Sequence, residues 1–144
     1  METIEFQHLE LCAPLYYLEA SGLEPFETDE REEQVFCFEL KRGEEISIEP
    51  DLRQWLGPLL FAGRRRPVSA GGEPGFEIPA GHYLFAQLRG KRSREDFIYM
   101  GTEVQKDGLW ERYRLENRVF LRRLFEDGLP VTQVLRPCSP PEEF

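Results

Sequence analysis

Cysteine and histidine are the residue types in this chain best suited to nucleophilic, acid–base or metal chemistry, and their spacing supports none of it. The three cysteines, Cys12, Cys37 and Cys138, form no C-x-x-C pair, and an odd number without a secretion signal argues against a disulfide framework. They read as reduced thiols, two packed in strands and one in a tail. The only histidines are His8 and His82, so a zinc site would also need carboxylates, and nothing spaces them for it. His82 lies at the entrance of a strand, where a packed or hydrogen-bonded role is the simpler reading than a general base. No Ser-His-Asp or Cys-His arrangement follows from spacing. The sequence therefore assigns no catalytic residue, no metal and no cofactor.

Arginine forms the other candidate groups. Arg64-Arg65-Arg66 opens a Gly/Pro-rich stretch over 63–75, Lys91, Arg92 and Arg94 follow a strand, and Arg114, Arg118 and Arg122 recur at four-residue spacing. The first two groups read as a solvated loop or a contact with the acidic front, or as an anion grip; the third reads as a solvated face, a partner site or an intramolecular contact with the acidic N-terminal half. Residues 1–50 carry fourteen acidic against three basic side chains, a balance of -11, and the remainder carries fifteen basic against thirteen acidic, a balance of +2. An acidic front repels phosphates, so nucleic acid is not an expected partner. No run reaches the roughly 18 to 20 apolar residues of a membrane helix, and Met1-Glu-Thr-Ile-Glu5 lacks the basic and apolar regions of a signal peptide. A soluble cytoplasmic protein is expected.

The elements that would position these groups follow from periodicity. With 40% hydrophobic and 12% aromatic residues in 144, one domain with one core is expected over 1–144. Strands are predicted at 3–12, with a bulge or strand end near His8 and Leu9, then at 14–18, 82–89 and 129–136. A hairpin is predicted over 34–49 with Gly43 in its turn. A helix starting at Pro50-Asp51 would carry Leu52, Trp55, Leu56, Leu59 and Leu60 inward, although Pro58 shortens it. Residues 95–106 suit either state and lean toward a strand. The clearest helical spacing lies over 109–126, with Asp107 and Asp127-Gly128 as caps. Phe36 to Lys41 and Leu84 to Arg89 echo each other 48 residues apart, which suggests two half-units, 1–63 and 76–137, joined by the Gly/Pro/Arg loop.

The stretch Ile78-Pro-Ala-Gly-His-Tyr-Leu-Phe-Ala-Gln-Leu-Arg-Gly90 resembles the opening of the second unit in GyrI-like (gyrase-inhibitor-like) small-molecule-binding domains. There a Pro-Ala-Gly-x-Tyr run begins a strand that ends at a glycine. A long helix closed by Asp127-Gly128, followed by a last strand, is similar to the way that unit ends. The glutamate and tyrosine expected in that family's last strand have no counterpart in Val131-Thr-Gln-Val-Leu135, so no ligand-contacting carboxylate carries over there. The resemblance implies an α+β fold, an antiparallel sheet with two helices arranged as two β-α-β-β-like units with a cleft between them. Such a cleft would take small hydrophobic or cationic molecules, and its candidate lining is Glu77, Tyr83, Tyr99, Glu103, Trp110 and Tyr113.

Three functions follow as expectations. The first is a small-molecule-binding or sensing module. The second is a protein-interaction or inhibitor protein using the acidic front around 24–33. The third is a small-ester hydrolase, for which no residue pairing can be named.

Overall fold

Alternating apolar residues that continue through one glycine- or proline-marked stretch after another produce a sheet that dominates the molecule. The computed structural model describes residues 5–20, 22–26, 32–41, 52–65 and 75–139. Its strands are β1 (Glu5–Leu11), β2 (Leu15–Glu19), β3 (Gln34–Leu40), β4 (Leu56–Arg65), β5 (Gly75–Ile78), β6 (Gly81–Arg89), β7 (Arg114–Leu115), β8 (Arg118–Glu126) and β9 (Leu129–Ser139). The helices are the single turn α1 (Leu52–Trp55) and the long α2 (Arg94–Trp110). The sheet order is β1-β6-β9-β8-β3-β4-β2-β5, with β7 added beside β9, and every pairing is antiparallel.

The expected α+β fold with two helices in two β-α-β-β-like units is corrected by this arrangement. Strand accounts for 58% and helix for 19% of the described residues, in a curled half-barrel with one substantial helix. Strands from before and after the central loop also interleave: β1 lies on β6, β3 on β8, and β2 on β5. The two stretches of the 48-residue echo lie in one core: Phe36, Phe38 and Leu40 of β3 and Leu84, Ala86 and Leu88 of β6 all pack beneath α2.

The curl follows from contacts between distant strands. Phe76 of β5 and Phe120 of β8 stand four strands apart in the sheet, which would be about 19 Å on a flat sheet, yet their ring centres are 5.8 Å apart. One face is thus concave, gathering Tyr17, Val35, Cys37, Ile78, Tyr83, Phe120 and Leu135. The other face is covered by Phe97, Ile98, Met100 and Val104 of α2, with Leu52 of α1. Leu52 fits because residue 101 is glycine: a Cβ there would lie 2.2 Å from Leu52 Cδ2.

Three predicted elements change identity. Residues 109–126 are no long helix but the end of α2, a turn, β7 and β8. Spacing by four places residues on one face of a strand as well as a helix, while Val119 and Leu121 face the helix-covered core and Phe120 between them faces the concave one. Asp127 (φ 52°) and Gly128 (φ 78°) are the centre of a tight hairpin turn with Glu126 opposite Leu129, not a helix cap. Residues 95–106, expected as a strand, belong to α2. Its start is a capping box in which the Ser93 hydroxyl accepts from the Asp96 N–H at 3.2 Å and the Asp96 carboxylate accepts from the Ser93 N–H at 3.3 Å. Phe97, Met100, Gly101, Val104 and Gly108 then recur on its buried stripe.

The helix expected from Pro50 stops at Trp55, and Leu59 and Leu60 lie in β4 instead. Gly57 and Pro58 end it, and the β3–β4 register shifts beside them, between Cys37 and Phe38 and between Phe38 and Leu40. The bulge or strand end expected near His8 and Leu9 is absent, since β1 pairs β6 without a shift from Glu5 opposite Gln87 to Leu11 opposite Gly81. The predicted strands near 3–12, 14–18, 34–40, 82–89 and 129–136 correspond to β1, β2, β3, β6 and β9. The second strand of the 34–49 hairpin lies outside the described residues, as does 66–74 of the central loop, whose flanks belong to β4 and β5. Among the described residues no helix is long and apolar enough to cross a membrane.

Candidate functional site

The concave face is floored by aromatic rings. Phe61 and Phe76 stack with centres 4.7 Å apart, and Phe76 and Tyr83 both meet the Phe120 ring. Register then lays a polar row across this floor: Arg122 of β8 is opposite Gln133 of β9, which is opposite Gln87 of β6. Directly opposed residues project to the same side, so these three side chains meet. Arg122 Nη1 donates to Gln133 Oε1 at 3.1 Å, and Gln133 Nε2 donates to Gln87 Oε1 at 2.7 Å.

Register through β3 and β4 adds two more groups to the row. Tyr17 of β2 donates its hydroxyl proton to Glu33 Oε2 at 2.5 Å. Arg122 reaches the same carboxylate through Nε to Oε2 at 3.3 Å and Nη2 to Oε1 at 3.2 Å, and its Nε also donates to the Tyr17 oxygen at 3.2 Å. Arg65 of β4 completes the end of the cluster, 3.6 Å from Glu33 and over the Tyr17 ring at 5.7 Å. Tyr17 is fully buried, whereas the Arg122 and Glu33 side chains keep 16% and 21% of their surface in water. This is a two-pronged, charge-assisted pairing at the border of the buried apolar cluster on the concave face.

The electrostatics suit recognition rather than nucleophilic chemistry. Burial raises the Tyr17 phenol well above its usual range; Arg122 opposes that rise and Glu33 adds to it, so Tyr17 stays a donor. Burial pushes Cys37, on the same face, up to about 11 against the pull of Arg118, which leaves it a thiol at neutral pH. Burial likewise lifts Tyr83 to about 12, and its hydroxyl is committed to the Pro79 carbonyl at 2.6 Å. Among the described residues no group of three or more His, Cys, Asp or Glu is placed to hold a metal ion.

The residues expected to line one cleft are separated. Tyr83 lies in the concave core, and Glu77 is exposed on β5. Tyr99, Glu103 and Trp110 lie along α2 on the far side of the sheet, with Glu103 paired to Lys106 at 3.4 Å. Tyr113 follows α2, its ring centre 5.7 Å from that of His8. Only Tyr99, Glu103 and Trp110 share a surface. Of the basic groups, Arg64 faces Glu32 at 3.9 Å, and Arg65 and Arg122 meet Glu33; the contact with the acidic front is what these residues make. Arg118 instead pairs Glu116 and covers Phe120. Tyr17, Glu33, Gln87 and Gln133 went unrecognised, and the one available signal was Gln133 standing among apolar residues of a strand.

A separate hollow of about 220 Å³ lies at the β8–β9 turn, lined by Arg89, Gly90, Glu126, Asp127, Leu129, Pro130 and Val131. None of the predicted site residues reaches it. No protein-family model matches this chain, and no curated protein matches it either.

Proposed function

We propose that this chain is a small-molecule-binding module whose ligand seats against the concave face of the curled sheet. The observation that carries the reading is the hydrogen-bonded line Tyr17–Glu33–Arg122–Gln133–Gln87 set into an aromatic floor. Stacked rings suit an apolar or aromatic body. Glu33 is already paired with Tyr17, Arg65 and Arg122, so the polar handle for a ligand is the Gln87 amide at the other end of the row, which suits a hydrogen-bonding group. The proposal places the protein in a reducing compartment such as the cytoplasm, in keeping with three free cysteines.

Thermal melts across a panel of hydrophobic and cationic compounds test this reading. A stabilising compound should lose most of its effect in Phe76→Ala and in Arg122→Met. A panel without hits, or hits indifferent to both substitutions, would count against it.

A second reading, an interaction protein, draws on Trp110, which is 85% exposed near the end of α2, with Tyr99 half-exposed on the same helix. Aromatic side chains of this kind anchor protein interfaces. It predicts that Trp110→Ala abolishes binding to a purified partner while leaving any small-molecule stabilisation intact.

A further inference from the structure

The only two histidines of the chain, 74 residues apart in sequence, meet across the β1–β6 pairing. His8 Nε2 lies 2.9 Å from His82 Nδ1. The rings are within 9° of parallel, with centres 5.0 Å apart, a separation close to the nitrogen gap plus the two ring radii. The two nitrogens therefore face each other edge to edge, held by one N–H···N bond. His8 is exposed and His82 half-buried, and the Tyr113 ring lies beside His8. Glu10 stands directly opposite His82 in register, so its carboxylate emerges on the same side of the sheet. His82 shares its parity with Leu84, Ala86 and Leu88, so the pair lies on the opposite face from the Tyr17–Glu33–Arg122 row.

Imidazole nitrogens bind divalent d-block ions at about 2.0–2.1 Å. Two such bonds to nitrogens 2.9 Å apart enclose an angle of about 90° at the ion, the cis angle of square-planar and octahedral centres, whereas a tetrahedral ion needs a wider gap. We propose that His8 and His82 form a cis bis-imidazole site for a divalent d-block cation, copper(II) or nickel(II) ahead of zinc, with water completing the coordination.

Binding replaces the shared hydrogen bond. The proton between the rings passes through solvent to the far nitrogen of its own imidazole, leaving Nδ1–H on His8, Nε2–H on His82 and both facing lone pairs on the ion. Because the facing lone pairs point along the line between the two nitrogens, both rings turn, by about 45° each, to aim them at an ion set off that line. With two protein nitrogens and open positions, the site exchanges its ion readily, and an ion held there fastens edge strand β1 to β6.

The test uses the full chain without a polyhistidine tag, stripped with chelator and titrated with copper(II), nickel(II) and zinc by calorimetry. The expected result is one ion per chain, tightest for copper, with affinity falling about tenfold or more in His8→Asn and in His82→Asn. Far-UV circular dichroism checks that both variants keep the fold. Copper or nickel should also broaden NMR signals of β1 and β6 in the unaltered chain, a measurement that stands even if a variant unfolds. Absence of saturable binding below millimolar ion, binding indifferent to both substitutions, or broadening centred elsewhere would overturn the proposal.

Discussion

Arg122 and Arg136 sit on adjacent strands, β8 and β9, yet face opposite sides of the sheet and lead different lives. Arg136 lies beneath α2 with 2% of its surface exposed, giving Nε to the Glu116 carbonyl at 2.7 Å and Nη1 to Gln105 Oε1 at 2.9 Å. Burial pulls its guanidinium down to about 10, with Cys138 and Glu116 opposing. Its two named acceptors are neutral, and they lie at the end of α2 and just before β8. Arg122 instead meets a carboxylate, a phenol and an amide and keeps contact with water. The first arginine acts as a pin between sheet and helix. The second holds a polar row that keeps contact with water. Both faces bury apolar clusters; they differ in that Arg136 is sealed beneath α2 while the Arg122 side chain keeps 16% of its surface in water.

The sharpest way to break this contrast is to truncate one ring on each face. Phe97 of α2 is fully buried, so Phe97→Ala should cost about 4 kcal/mol in urea unfolding. Phe76 is half-buried on the concave side, and Phe76→Ala should cost about 1–2 kcal/mol while weakening any ligand. Equal losses would erase the distinction between the faces. Next in size, Arg136→Met leaves the Gln105 and Glu116 oxygens without their donor and should cost about 2–3 kcal/mol. A neutral or stabilising result would mean the guanidinium does not pin α2. A double-mutant cycle on Arg122→Met and Glu33→Gln should give a coupling of about 1–2 kcal/mol, and near-additivity would dissolve the polar row into independent contacts.

A pH titration sharpens the picture further. The Tyr83 phenol ionises near 12 in the folded chain against 10 when free. Between those values the folded form keeps a proton that the unfolded form has lost, so stability falls as pH rises through this window. Tyr83→Phe should flatten that fall, and the ultraviolet tyrosinate signal should lose a component near pH 12. An unchanged alkaline slope in the variant would place the burial of Tyr83 in doubt.

How much of this was legible in the sequence varies by element. Strands β1, β3, β6 and β9 could be read because alternation and Gly/Pro punctuation are local properties. The helix is misplaced because Trp110, Tyr113, Phe120, Leu121, Leu124 and Phe125 fall at three- and four-residue intervals, which a strand buried on both faces, as β8 is, can also show, while the capping box Ser93-x-x-Asp96 marks the true helix start. Asp127-Gly128 suits a helix cap, but the same dipeptide is a strong hairpin signal. The polar row was hidden for a different reason. Gln87, Gln133 and Arg122 meet only through strand register, and Tyr17 reaches Glu33 across Arg65 of the intervening β4; neither is encoded in any one window. The basic stripe offers an intramolecular contact as one option for Arg122, and its pairing with Glu33 is such a contact.

The most direct test of the concave-face account is NMR mapping of a compound that raises the melting temperature, using side-chain signals. The account predicts that the shifted signals gather on Phe61, Phe76, the Arg122 Nε–H and the Gln87 and Gln133 amides, while Phe97, Trp110 and the rest of α2 stay still. Shifts concentrated on α2, or on the hollow beside Asp127, would contradict it.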